Sequence, residues 1–193
     1  MSISCEAFLT FCLLSFATSL QASCVILLHD LARTSDSMET LKEALLNQNF
    51  LMINQGYPSR QYSIEVLANL DIETALKQCP KNMTVNFVTH SLGRILVRQY
   101  LSLHDINNLN RVVMLGPPNG GSEVIDKLKD APGVYFVNDN AGLQLGMGEH
   151  STPKTLGRTN FNVGIIAGTK SINWILSSRI PSTDDGKVSV KKY

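Results

Sequence analysis

Short apolar runs and helical stripes alternate along the chain from Cys24 onward, the pattern of an α/β fold built on a mainly parallel sheet. Cys24-Val25-Ile26-Leu27-Leu28 has no polar alternation, as a strand buried on both faces requires. Asp36 followed by Glu39 reads as a capping box, and Met38, Leu41 and Leu45 mark one face of a helix ending near Asn49. Phe50 to Asn54 is the next strand, and Gly56-Tyr57-Pro58-Ser59 a loop. Ser63 can cap a second helix with the stripe Ile64, Leu67, Ile72, Ala75 and Leu76, stopping before Pro80. Further on, Arg111 to Leu115 and Phe161 to Gly168 read as strands and Glu123 to Lys129 as a short helix. Residues from about Asp130 to Asn160 form an irregular excursion rich in Gly, Pro, Asn and Thr.

Between the second helix and the Arg111 strand lies Thr84-Val-Asn-Phe-Val-Thr-His-Ser-Leu-Gly-Arg94. An apolar strand runs into His90-Ser91-Leu92-Gly93 and then into a helical pattern with Ile95, Leu96 and Tyr100 on its inner side. A strand, a sharp turn bearing a serine and a helix expose a hydroxyl at the top of a parallel sheet. The turn is tight enough to need small residues two positions either side of the serine. Gly93 meets that need on one side, and Thr89 stands on the other.

Composition adds bounds. With 193 residues, 44% of them apolar, the chain can bury the core of one domain without metal support. A formal net charge of +1, spread evenly, offers no electrostatic surface for nucleic acid. Ala7 to Leu20 is uncharged and apolar and precedes Gln21-Ala22-Ser23-Cys24, so residues 1–22 read as a signal peptide cleaved after Ala22, although no basic residue opens it. A buried first helix or an uncleaved anchor is the alternative. Export would leave Cys24 and Cys79 as a pair in an oxidising compartment. Cys24 begins a strand at the lower sheet edge, and Cys79 ends a helix that runs back to that edge. The other reading is two buried free thiols.

The serine gives these elements a chemistry. Acyl transfer by serine needs a histidine base, a carboxylate to orient it, and backbone donors for the oxyanion. Ser91 is the candidate nucleophile, and Asp185, in the loop Ile180 to Gly186, the candidate acid. The amide of Leu92 and one from the loop His29 to Ser35, at Leu31, are the candidate oxyanion donors.

At Leu27-Leu28-His29-x-Leu31, Gly56-Tyr57-Pro58-Ser59, Thr89-His90-Ser91-Leu92-Gly93, Gly116-Pro117-Pro118-Asn119-x-Gly121-Ser122 and Asp184-Asp185-Gly186-Lys187-Val188 the chain resembles the α/β-hydrolase superfamily. Within it, the resemblance is to small exported bacterial lipases and esterases related to the GPI inositol-deacylase-like group. It implies a three-layer sandwich over residues 23–193, no cofactor or metal, and an acyl ester or lipid substrate. Asp30 departs from the family's glycine and places a carboxylate beside a pocket meant for negative charge, which weakens it unless Arg33 or Arg94 neutralises it; Arg94 stands where a small residue is usual. The family's histidine follows the acid after one more strand, and here the sequence ends at Tyr193. This implies a C-terminally shortened domain lacking the last strand and helix, with an exposed edge at Val163, Ile165 and Ile166 open to self-association. His29 and His90 fit structural roles, His104 the surface, and His150 the excursion. Two readings stand: a serine esterase or lipase whose base is missing from the chain, and a catalytically silent hydrolase-like binding protein.

Overall fold

β1 (Cys24–Leu28) is buried at every position, and its side chains divide between the two faces of the sheet. Val25 and Leu27 join Met38 and Met52 in a small cluster on one side, while Cys24, Ile26 and Leu28 enter the larger core on the other. A continuous apolar run is therefore what this strand needs, because each face is covered. The computed structural model describes residues 23–116, 140–146 and 148–166. The expected signal segment, the loop from Pro117 to Ser122, the helix from Glu123 to Lys129 and the Asp185 loop lie outside the described residues.

β1 is flanked by β2 (Leu51–Gln55) and β3 (Val85–His90), and the sheet continues through β4 (Leu109–Leu115) to β5 (Val163–Ile166). All four pairings are parallel, in the order β2-β1-β3-β4-β5. Parallel neighbours need crossovers, and helices supply them. α1 (Glu39–Leu46) links β1 to β2, α2 (Ile64–Leu76) links β2 to β3, and α3 (Leu92–Leu101) links β3 to β4. The apolar faces of α2 and α3 fill the larger core, and α1 leans on the opposite face through half-buried Leu41 and Leu45. This is a three-layer α/β sandwich.

The helix starts divide on their caps. Ser63 caps α2 as its sequence suggests, its hydroxyl accepting from the Val66 N–H at 3.5 Å. Ile64, Leu67, Ile72 and Ala75 are buried, and Leu76 packs against the same core half-buried. The capping box at Asp36 and Glu39 does not form. Ser35–Met38 is instead a 3-10 turn after Thr34, and the Glu39 carboxylate is taken by the Lys42 ammonium at 2.8 Å and the Asn54 amide at 3.0 Å. Those partners lower its pKa from the ordinary carboxylate value. The excursion is also more ordered than its composition suggests, since α4 (Asn140–Gln144) and α5 (Thr152–Thr155) are short helices. Pro153 lies in the first turn of α5, where its missing N–H is no loss.

Cys24 and Cys79 are disulfide-bonded, with Cα atoms 5.8 Å apart across 55 residues of sequence. The link ties the lower end of β1 to the chain just beyond the lower end of α2. Both cysteines are buried, so the bond also belongs to the core packing. Replacing both with serine, or reducing the bond, is expected to lower unfolding stability by about 4 kcal/mol in the chain-entropy model. Urea denaturation with and without reductant measures it. An unchanged midpoint would show that this closure does not contribute.

Candidate active site

Ser91 stands between β3 and α3 with φ 47° and ψ −104°, a combination outside the helix and strand regions. A non-glycine residue takes such angles only where its surroundings over-determine them. The surroundings are visible. The Ser91 N–H donates to the Leu115 carbonyl at 3.1 Å, anchoring the turn to the top of β4. Gly93 lies against β1 so closely that an added Cβ would sit 2.7 Å from the Leu28 Cβ and 2.8 Å from its carbonyl oxygen. Only glycine fits there. On the other side, buried Thr89 is accommodated because its hydroxyl donates to the Val113 carbonyl at 3.3 Å, across the β3–β4 pair.

The loop after β1 is fixed just as firmly, from the side of Gly56-Tyr57-Pro58-Ser59. His29 is buried and stacked on Tyr57 at 3.9 Å between ring centroids. Its Nε2 accepts from the Tyr57 N–H at 3.3 Å, which leaves Nδ1 to donate to the Asp30 carbonyl at 2.8 Å. The Tyr57 hydroxyl donates to the His29 carbonyl. Burial lowers the His29 pKa to about 4 and pushes that of the Tyr57 phenol well up, so both are neutral near pH 7. With both ring nitrogens engaged, His29 is a structural residue. Ser59 accepts from the Ala32 N–H at 3.0 Å and so holds the loop where Ala32 turns through φ 55°. Tyr57 and Ser59 were visible in the sequence only as a loop motif; their role as a buttress appears in the fold.

The two candidate oxyanion amides differ. Leu92 is the first residue of α3, so its N–H has no carbonyl one turn earlier in the helix. Leu31 is already engaged. Its N–H donates to Asp30 Oδ1 at 2.7 Å, so the amide expected to receive an oxyanion already serves a carboxylate. The cause is local, because a buried carboxylate must find donors, and the next amide in the chain is within reach. Among the described residues, no hydrogen bond or ion pair joins Arg94 to Asp30. Arg94 is buried, yet its Nε and Nη1 have no hydrogen-bond partner, and Arg33 is exposed.

Asp185 lies outside the described residues. His90 is half-buried at the end of β3, and His150 is exposed in the turn between α4 and α5. His104 is exposed beyond the far end of α3, beside Tyr100 and with Nε2 3.2 Å from Asn69 Oδ1. Among the described residues, no histidine is hydrogen-bonded to the Ser91 hydroxyl. Nor do they contain a cluster of His, Cys, Asp or Glu placed to hold a metal ion.

No family model matches the chain, and no curated protein matches it by sequence. Solved structures do. The mature Bacillus licheniformis lipase BlEst2 superposes with a TM-score of 0.65 at 16% identity, over 90% of this chain and 79% of that one. The phospholipase PlaB from Legionella pneumophila gives 0.69 at 19% identity, over 88% of this chain and 45% of that one. A metagenomic carboxyl esterase, MGS0156, gives 0.72 at 15% identity, over 90% of this chain and 60% of that one. This chain therefore spans about half the length of the second and well under the whole of the third. At these identities the likeness establishes the fold, that of the α/β-hydrolase lipases and esterases.

Two predictions follow from this geometry. Gly93→Ala must push α3 off β1 and should cost about 1–3 kcal/mol, the usual range for overpacking, read as a lower urea midpoint. The His29 imidazole, lowered from 6.5 to about 4, makes the unfolded chain the better proton acceptor between those values. Its contribution of about 3 kcal/mol is present above pH 6.5 and is lost as pH falls towards 4. Urea midpoints at pH 7.5 and pH 4 should differ accordingly, and a His29→Gln variant should flatten the difference.

Proposed function

We propose that the chain is a serine hydrolase of carboxylic esters, with acyl lipids as the substrate class. The observation that carries this is the backbone of Ser91, held at φ 47° between a parallel strand and a helix with its neighbours shaped around it. In this reading the Ser91 oxygen attacks the ester carbonyl, and the alcohol leaves as the acyl group is transferred to Ser91. The Leu92 amide faces the developing oxyanion, aided by the positive end of α3. Asp185 orients the base; all four histidines of the chain lie among the described residues, and none is hydrogen-bonded to the Ser91 hydroxyl. Names of the structural neighbours, a lipase, a phospholipase and a carboxyl esterase, agree with ester chemistry. The Cys24–Cys79 bond supports an exported protein, periplasmic or secreted.

A second reading rests on Asp30. A carboxylate hydrogen-bonded to the Leu31 amide repels an oxyanion and removes one of its two donors, which favours a catalytically silent protein that binds an ester or acyl ligand. One chemical probe separates the two. A fluorophosphonate should label the purified protein and leave Ser91→Ala unlabelled; equal absence of label on both would sink the hydrolase reading. Asp30→Gly, which frees the Leu31 amide, should speed labelling by about 10²-fold, the effect of one oxyanion donor.

A further inference from the structure

A cavity of about 500 Å³ that Ser91 does not line opens between α3, β4, β5 and the segment that follows α5. Arg94, Arg98 and Arg158 line it together with Thr159, and Met114 and Ile165 supply apolar wall. No acidic residue is among the described lining.

Three cations facing one cavity is an unstable arrangement by itself. Arg94 is 2% exposed, and its Nε and Nη1 are buried without a hydrogen-bond partner. Removing a guanidinium from water without pairing it costs several kcal/mol, and a like charge nearby adds to that. Arg98 is that like charge, one helical turn along α3. It is held rigidly, its guanidinium donating to the Pro153 carbonyl at 3.4 Å and to the Gly157 carbonyl. Those carbonyls satisfy two of its hydrogens without neutralising it. Arg158 is exposed and can swing its fork over the opening. Burial and mutual repulsion together hold the Arg94 pKa well below the ordinary arginine value.

We propose that this cavity is a binding site for a phosphate group. The planar guanidinium presents paired N–H donors matched to two oxygens of such an anion, and the unpartnered Nε and Nη1 of Arg94 supply donors of this kind. Three arginines call for more than the single charge of a carboxylate, and the Thr159 hydroxyl adds a neutral donor. The apolar wall of Met114 and Ile165 leaves room for a small organic group attached to the phosphate. Both free phosphate and the headgroup of a phospholipid carry this chemistry.

The site does not include Ser91 and stands independently of the hydrolase reading. Thermal unfolding of the full chain in chloride buffer at constant ionic strength, with inorganic phosphate added, is the test. Phosphate at 100 times its dissociation constant should raise Tm by about 5 °C or more, and acetate at equal ionic strength should not. Arg94→Met should raise Tm in phosphate-free buffer, because an apolar chain replaces an uncompensated buried charge, and should abolish the response. Arg158→Gln, a surface change, should leave the basal Tm unchanged and weaken phosphate binding roughly tenfold. Ser91→Ala should bind phosphate as the natural protein does. A second arm uses dihexanoyl phosphatidic acid below its micelle concentration: tighter binding than inorganic phosphate assigns the site to a lipid headgroup, and equal or weaker binding to free phosphate. No phosphate-dependent shift, or an equal shift in Arg94→Met and Arg158→Gln, overturns the proposal.

Discussion

The contact between Gly93 and Leu28 sets the position of everything around the serine. α3 reaches β1 backbone to side chain, at a separation no Cβ would allow, and so its first turn is drawn over the top of the sheet. A helix placed that close forces the residue before it to reverse direction within a single step. Ser91 absorbs that reversal in its own dihedrals. The hydroxyl, the Leu92 amide and the end of the helix are thus presented together by one packing constraint. Hydrogen bonds from Ser91 to Leu115 and from Thr89 to Val113 then carry the same constraint across to β4.

A different economy governs the loop facing the serine. Polar groups are buried there in succession: His29 and Asp30 from the loop, Ser59 and the phenol of Tyr57 from the next one. Each finds its partner within the group, so the loop is stiff. Stiffness has an effect on chemistry. The hydrogen bond that settles Asp30 uses the Leu31 amide, so a requirement of folding competes with a requirement of catalysis at one N–H. Relief of that competition needs a protonated or displaced Asp30, or a different second donor.

The elements readable in the sequence were those whose signal is local or periodic. The uninterrupted Cys24–Leu28 run, the Ser63 cap with the stripe of α2, and the strand-serine-helix turn each carry their own physical reason, and each is in the fold. β5 borders the sheet among the described residues, with Val163, Ile165 and Ile166 exposed. What was not readable depended on partners far along the chain. Glu39 matched a capping box by spacing, but Asn54 and Lys42 claim its carboxylate. The composition from Asp130 to Asn160 hid two helices, one of which is held by distant Glu65 through Gln144. Arg94 was one of two candidate counter-charges for Asp30; α3 carries it to the wall of a separate cavity.

The strand order has a consequence for how the chain meets its own sheet. β1, the earliest strand, is flanked by β2 and β3, and from there each later strand joins on one side only, β4 beside β3 and β5 beside β4. Among the described residues the sheet therefore extends in chain order on the β3 side, while β2 forms its other border. The core that covers one face of β1 takes in Val112 and Met114 of β4 together with α2 and α3, so it is complete only once β4 is in place. Among the described residues, chain order and sheet order thus run together from β1 through β3 and β4 to β5, and the link between Cys24 and Cys79 fastens the first of these strands to the helix region that precedes the second.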